Sequence, residues 1–263
     1  MLSYPFMQNA YMAGTLIAII SGIMGVFVIA RNMSFLTHTL SEIGFAGAAF
    51  GIFMGWQPLN GMLLFTTISS IGVGELGAKS SRRENSITAI SALAIGLGIL
   101  FLSLADSNAS YATGILFGSV IGISRANVVQ MVILSVSVLV VVMVIYRYLK
   151  FDSFDPIGAQ VKGLWTRTLS VIFLVLLAFS VSVAAQIVGS LLIFILLTLP
   201  AAAAKYFAHT VGMMISVAVA FSLIGVWLGL YLSYVTNWPV SFFIAVIEVI
   251  FYFSALVYQR MRA

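Results

Sequence analysis

His38 and Glu42 stand four residues apart in the segment Ser34 to Trp56, which is otherwise almost free of ionisable groups. On a helix, residues at i and i+4 share a face with Cβ atoms about 6 Å apart, close enough for one divalent cation to take an imidazole nitrogen and a carboxylate oxygen together. Ionisable groups within apolar spans are costly and mark pathways for ions or protons. A plainer reading is that the two side chains hydrogen-bond each other or cap a helix start near the membrane interface. At about 100° per residue, Ser34, Ser41 and Ala49 fall on the same side as the pair. Gly44, Gly47, Gly51 and Gly55 form a stripe on roughly the opposite face, a groove that admits a neighbouring helix closely.

A second cluster lies in Phe154-Asp155-Pro156-Ile157-Gly158-Ala159-Gln160-Val161-Lys162-Gly163. Asp155 before Pro156 is an N-cap followed by the residue best suited to the first helical position, and Gly163 is a suitable helix end. A short helix lying flat at the membrane is expected here, either as an ordinary connector or as a docking surface for a cytoplasmic partner. Glu248 is an isolated carboxylate in the last apolar run, where an unpaired charge would cost several kcal/mol, so a partner on another helix or a place in the ion path is expected. Glu75 reads as an interfacial residue beside Lys79, Arg82 and Arg83, and His209 as a loop histidine next to Lys205. The 12 methionines are scattered rather than paired, which argues against a copper(I) path.

These side chains need a membrane scaffold to hold them. The chain has 263 residues, 62% of them hydrophobic and 7% charged, with a mean hydropathy of +1.16. Apolar runs near the ~20 residues of a spanning helix fall at 11–30, 36–56, 59–78, 86–105, 127–147, 165–185, 187–204, 210–232 and 239–258. The expected fold is an all-α polytopic bundle of about nine spans, in a range of eight to ten, built as one membrane domain over 1–263 with a cytoplasmic loop at about 151–164. Tyr111 to Ser124 is too short to cross cleanly and is expected to be re-entrant or interfacial. Arg31, the Lys79 cluster, Arg147 to Arg167, Lys205, and Arg260 with Arg262 fall on one side if the N-terminus is outside and the C-terminus cytoplasmic. The formal charge of +5 is thus a topology signal and implies no nucleic acid. There is no cysteine, so any metal must be held by nitrogen and oxygen. The first apolar run follows no basic n-region and is expected to be retained. No GxxxxGK[ST] phosphate loop is present, so ATP-driven work would fall to a separate subunit and the chain itself is not expected to be an enzyme.

Three segments taken together resemble the membrane subunit of the zinc and manganese ABC importers, the metal-specific branch of the type II importer permeases. They are Gly25 to Arg31 leading through Met33, Ser34 and Phe35 into the His38, Leu40, Ser41, Glu42, Gly47 helix; the Phe154, Asp155, Ala159, Gly163 loop; and Gln186, Val188, Gly189, Leu191 to Pro200, Ala201 and Ala202. The resemblance runs from about Asn9 to Tyr258. It implies a bacterial plasma-membrane permease that pairs with a second copy, as a homodimer or heterodimer, around one path. It also implies two cytoplasmic ABC ATPases, an extracytoplasmic metal-binding protein, and no permanently bound cofactor. Phe154, Asp155, Ala159 and Gly163 then take the role of the loop that docks the ATPase. The family motif more commonly reads Asp, three residues, then His, whereas this chain carries His38 and Glu42 in those places. Zinc is the first expectation for the cargo, because a dimer would offer two nitrogens and two carboxylates to a tetrahedral ion, and manganese is the alternative. A proton-coupled carrier using Glu248, Glu42 and His38 is the rival of another class, and an importer of metal chelates a further one.

Overall fold

The computed structural model describes residues 5–75, 83–105, 114–118, 125–190 and 193–262, and among these no strand occurs. Ten helices are numbered here in chain order: α1 (Pro5–Ala30), α2 (Ser34–Phe53), α3 (Pro58–Glu75), α4 (Arg83–Leu104), α5 (Arg125–Phe154), α6 (Pro156–Val161), α7 (Thr166–Val188), α8 (Ile193–Ala204), α9 (Val211–Thr236) and α10 (Val240–Arg262). Each apolar run read from the sequence corresponds to a helix of at least 12 residues, and α6 is the additional short helix beside them. By length and composition, α1, α5, α7, α9 and α10 are the five that can each cross a bilayer outright. With 12 residues, α8 reaches only about 18 Å at 1.5 Å per residue, short of a ~30 Å hydrocarbon core, so nine is an approximate count of crossings.

Burial separates the centre of the bundle from its rim. Of the apolar window of α1 and of α7, 67% is buried inside the protein, against 28% for α5, α9 and α10, whose outer faces carry residues such as Ile133, Met143 and Val144 toward lipid. The central position of α1 follows from its small residues. A Cβ on Gly14 would lie 2.8 Å from Val226 Cγ1, one on Gly22 would lie 2.7 Å from Val219 Cα, and one on Gly25 would strike the Leu197 carbonyl. Association in lipid rests on such close backbone approach, because apolar side chains gain little by leaving an apolar solvent. Tyr11 and Trp227 meet edge to face at 6.3 Å, and Trp227 Nε1 donates to Thr15 Oγ1 at 3.0 Å.

The helices sort into two groups. α2 packs on α3 and α4, whereas α1 packs on α9, α8 and α5 and α10 on α9 and α8; α7 touches both groups, and α1 and α2 hardly touch each other. Where α7 meets the first group, Thr66 of α3 and Ser182 of α7 share a buried hydrogen bond of 3.0 Å. α7 stops at Gly189, whose φ of +86° suits glycine. Its Cα lies against the backbone of Leu116, Phe117 and Gly118, and Ser190 N donates to Ile115 O at 3.0 Å. Of the expected re-entrant stretch Tyr111 to Ser124, only 114–118 is described, and Lys79 and Arg82 lie outside the described residues.

Candidate metal path and docking corner

α2 starts one short turn after α1. Asn32 takes a left-handed φ of +54°, Met33 N donates to Val28 O at 2.9 Å and Asn32 N to Ile29 O at 3.1 Å. This is the paired closure of a Schellman end, with asparagine in the position usually held by glycine. The helix that follows carries His38 Nδ1 3.5 Å from Glu42 Oε1. That is long for a hydrogen bond but near the ~3.0–3.4 Å spacing of two neighbouring ligands at ~2.1 Å from one ion. The imidazole lies on Phe194 of α8, ring centres 4.7 Å apart. Its side chain is 42% exposed and that of Glu42 14%, so the pair opens to the outside of the single chain. Among the described residues no group of three or more His, Cys, Asp or Glu could hold a metal. One chain therefore offers two protein ligands where a resident tetrahedral metal needs three or four.

The other residues expected around the pair are placed differently. Ser34 is half-buried at the start of α2, while Ser41 is buried and turned inward with no hydrogen-bond partner among the described residues. Glu248 is fully buried with both carboxylate oxygens unpartnered among the described residues, pressed against Gly225 of α9. α10 does not pack on α2, so Glu248 and the His38–Glu42 pair are not brought together. His209 sits exposed in the turn before Thr210, which caps α9 through Met213 N.

The glycine stripe meets α3. A Cβ on Gly47 would strike the Gly61 carbonyl and one on Gly61 would strike the Gly47 carbonyl, so the two helices touch backbone to backbone. Gly44 faces only Met62 Cε at 3.3 Å and Thr66 Cγ2 at 3.5 Å, and Gly51 faces Gln57 O at 3.2 Å. Gly55 departs from the expected stripe. It lies past the end of α2 at φ +72° with nothing within 4 Å of a Cβ, so it serves the turn and not the seam. Gly61, which the sequence reading passed over, completes the contact.

At the other corner α5 runs on to Phe154, so 151–154 belong to a long helix and the separate short element is α6 alone. Asp155 caps it by accepting from Gly158 N at 2.9 Å, with Pro156 at the first position. Gly163, at φ +70°, ends it with Leu164 N on Ala159 O and Gly163 N on Gln160 O, the same closure as at Asn32. Ala159 is fully buried within the chain; the outward residues are Ile157 and Val161, 76% and 83% exposed, with Phe154 and Trp165 beside them. Lys162 Nζ rests 5.0 Å over Phe151.

Just behind this corner sits an ion pair that topology counting had treated as an ordinary loop charge. Arg31 Nη2 donates to Asp152 Oδ2 at 2.6 Å, Nε to Ser153 Oγ at 2.8 Å and Nη1 to Ser170 Oγ at 3.2 Å, with Cζ 4.7 Å above the Phe173 ring. Both charged side chains are 7% exposed. Burial pulls the guanidinium below its ordinary value while Asp152 opposes the shift, and the group stays charged at neutral pH. No local sequence signal marked it, because Asp152 shares the basic stretch Arg147 to Lys162 with Asp155, whose capping role is the one the sequence shows.

A multispan helical chain with a histidine–carboxylate pair on one helix and a short capped helix between two long apolar ones has the make-up of a transport permease. The chain belongs to the ABC 3 transport family, whose profile matches residues 3–259. It is similar to the manganese transport system membrane protein MntC of Listeria innocua, 29% identical over 259 residues and covering 98% of this chain and 92% of that one. It is likewise similar to the manganese import system permease protein ScaB of Streptococcus parasanguinis, 27% identical over 250 residues and covering 95% and 89%. Among solved structures, PsaBC from Streptococcus pneumoniae in complex with a Fab superposes with a TM-score of 0.87 at 25% identity, over 96% of this chain and 91% of that one. The chain is thus a permease of a metal-importing ABC transporter. Both of these relatives are named for manganese and not for the zinc expected from the ligand types, two ions that nitrogen and carboxylate donors alone do not separate.

Proposed function

We propose that this chain is the permease of an ATP-driven manganese importer in a bacterial plasma membrane, with its N-terminus outside and its C-terminus in the cytoplasm. The observation that carries the reading is the His38–Glu42 pair, held 3.5 Å apart one turn into α2 and open to the outside of the single chain. A second copy, most simply an identical one, brings a second pair to the same axis. Two imidazoles and two carboxylates, completed by waters or the Ser34 hydroxyls, make a mixed nitrogen and oxygen set that a six-coordinate manganese ion accepts. Such a site must hold its ion loosely, because an ion bound tightly in mid-path would not leave. The extracytoplasmic binding protein of such a system would deliver the ion.

The motor side is α6. Its exposed Ile157 and Val161 stand on one face at i and i+4, the arrangement an apolar groove in a cytoplasmic ATPase would grip. Asp155 and Gly163 fix the two ends of that face, and buried Ala159 sets its depth. ATP binding and hydrolysis in the ATPases would shift α6 and so alternate the path between its outward and inward openings.

The test is cellular metal content by mass spectrometry in cells lacking other manganese and zinc importers, expressing this chain with its ATPase and binding protein. Manganese gain abolished by His38→Ala and by Glu42→Ala is expected. Zinc gain would overturn the choice of metal, and gain untouched by both substitutions would overturn the site.

A further inference from the structure

Arg31 is held by several directional contacts at once. Its three hydrogen bonds and its ring contact reach the last turn of α5 through Asp152 and Ser153 and the first turns of α7 through Ser170 and Phe173. Holding helices together does not require this. A buried ion pair is a weak source of stability, and apolar side chains of similar volume hold helices as well or better. What a planar guanidinium adds is direction, since its fork fixes several acceptors in one geometry at once.

The position of the fork is what gives that geometry a use. Asp152 is three residues before Asp155, the cap of α6, and α6 packs chiefly on the end of α5. On its other side Arg31 is followed at once by the Asn32 turn and then by α2, with His38 seven residues on. α1 and α2 barely pack on each other, so that turn is the direct chain link between them, while α2 also rests on α7 and α8. The guanidinium is thus anchored beside α6 on one side and stands at the turn into the helix that carries the His38–Glu42 pair on the other.

We propose that Arg31 is a positioning residue that couples movement of the 156–161 helix to α2 and its His38–Glu42 pair, by locking the ends of α1, α5 and α7 into one unit beside the α1–α2 turn. The proposal rests on the reading of α6 as the ATPase-docking element. Arg31→Lys keeps the charge and loses the fork, and Ser153→Ala with Ser170→Ala removes two acceptors with little change in volume.

The experiment uses the whole complex with its ATPases and binding protein in proteoliposomes, and it reads radioactive manganese delivered per ATP hydrolysed together with co-purification of the ATPase. Arg31→Lys and the double serine variant are expected to retain the ATPase and hydrolyse ATP within about twofold of wild type, while manganese per ATP falls about tenfold, the size of an ordinary coupling between sites. A scaffold role alone would not change that ratio. An unchanged ratio in both variants, or loss of ATPase binding and uptake together, overturns the coupling role. Failure of the docking reading shows separately: with Ile157→Glu and Val161→Glu, an ATPase that still co-purifies removes α6 as the docking element.

Discussion

Replacing Gly47 with alanine adds one methyl group where α2 and α3 meet. The new carbon would strike the Gly61 carbonyl oxygen and lie 2.8 Å from the Gly61 carbonyl carbon and 2.9 Å from Phe65 Cβ. Two of these atoms are backbone, so relief requires the helices to separate, and a gap of 0.5–1 Å forfeits about a quarter to a half of each dispersion contact across the seam. Overpacking of this kind costs about 1–3 kcal/mol, and a backbone obstacle puts it at the upper end. Alanine regains up to about 1 kcal/mol of helix propensity over glycine. The net loss is about 2 kcal/mol, or about 4–8 °C in Tm at 2–4 °C per kcal/mol. The assay is thermal unfolding of the detergent-solubilised permease, with Gly72→Ala as the control, since a Cβ at Gly72 meets nothing within 4 Å. The double variant Gly47→Ala with Gly61→Ala should fall short of the sum of its parts by at least about 0.5 kcal/mol, because the first methyl has already opened the gap the second needs. A Tm for Gly47→Ala equal to that of Gly72→Ala, or strict additivity in the double variant, refutes the seam.

Other substitutions test other parts of the structure. Glu248→Met replaces two unpartnered buried oxygens with apolar volume and should raise stability by about 1–3 kcal/mol, measured by the same unfolding; a loss would mean the carboxylate is satisfied in the assembled transporter. Asp155→Ala removes the cap on Gly158 N and should weaken α6 by about 1 kcal/mol, seen as an approximately fivefold weaker ATPase association by titration; unchanged association would show the cap to be idle. Trp227→Phe loses the bond to Thr15 and should destabilise by about 0.5–1.5 kcal/mol, and Thr15→Val should cost a similar amount without adding to it.

The sequence made the membrane bundle legible because each long element had to satisfy its own backbone in lipid, so length and hydropathy were enough to place every helix numbered here except α6. The cap at Asp155 and the stop at Gly163 were legible for the same local reason. What escaped was set by contacts between distant segments. Ala159 reads as a docking residue on a short polar loop and is instead buried, because α6 lies with that face on the end of α5. Gly61 and the Asp152–Arg31 pair carry no local signature, since their partners are 14 and 121 residues away. The metal was beyond the reach of residue types alone, as imidazole and carboxylate serve zinc and manganese alike.

The bonding of Thr15 to Trp227 also sets a schedule for the making of this protein. The two residues are 212 apart in the chain, which at ribosomal speeds of 5–20 residues per second is a wait of about 10–40 s. During that interval α1 has left the ribosome with Gly14, Gly22 and Gly25 uncovered, before most of the helices that will enclose it have been translated. A helix from the buried centre of the finished bundle is thus made before most of the partners that cover it. Its glycine face must stand in lipid or against the insertion machinery until the C-terminal third arrives, so truncation before α9 leaves a first span that can still pack on α5, α7 and α8 but lacks the surface that meets Gly14 and Gly22.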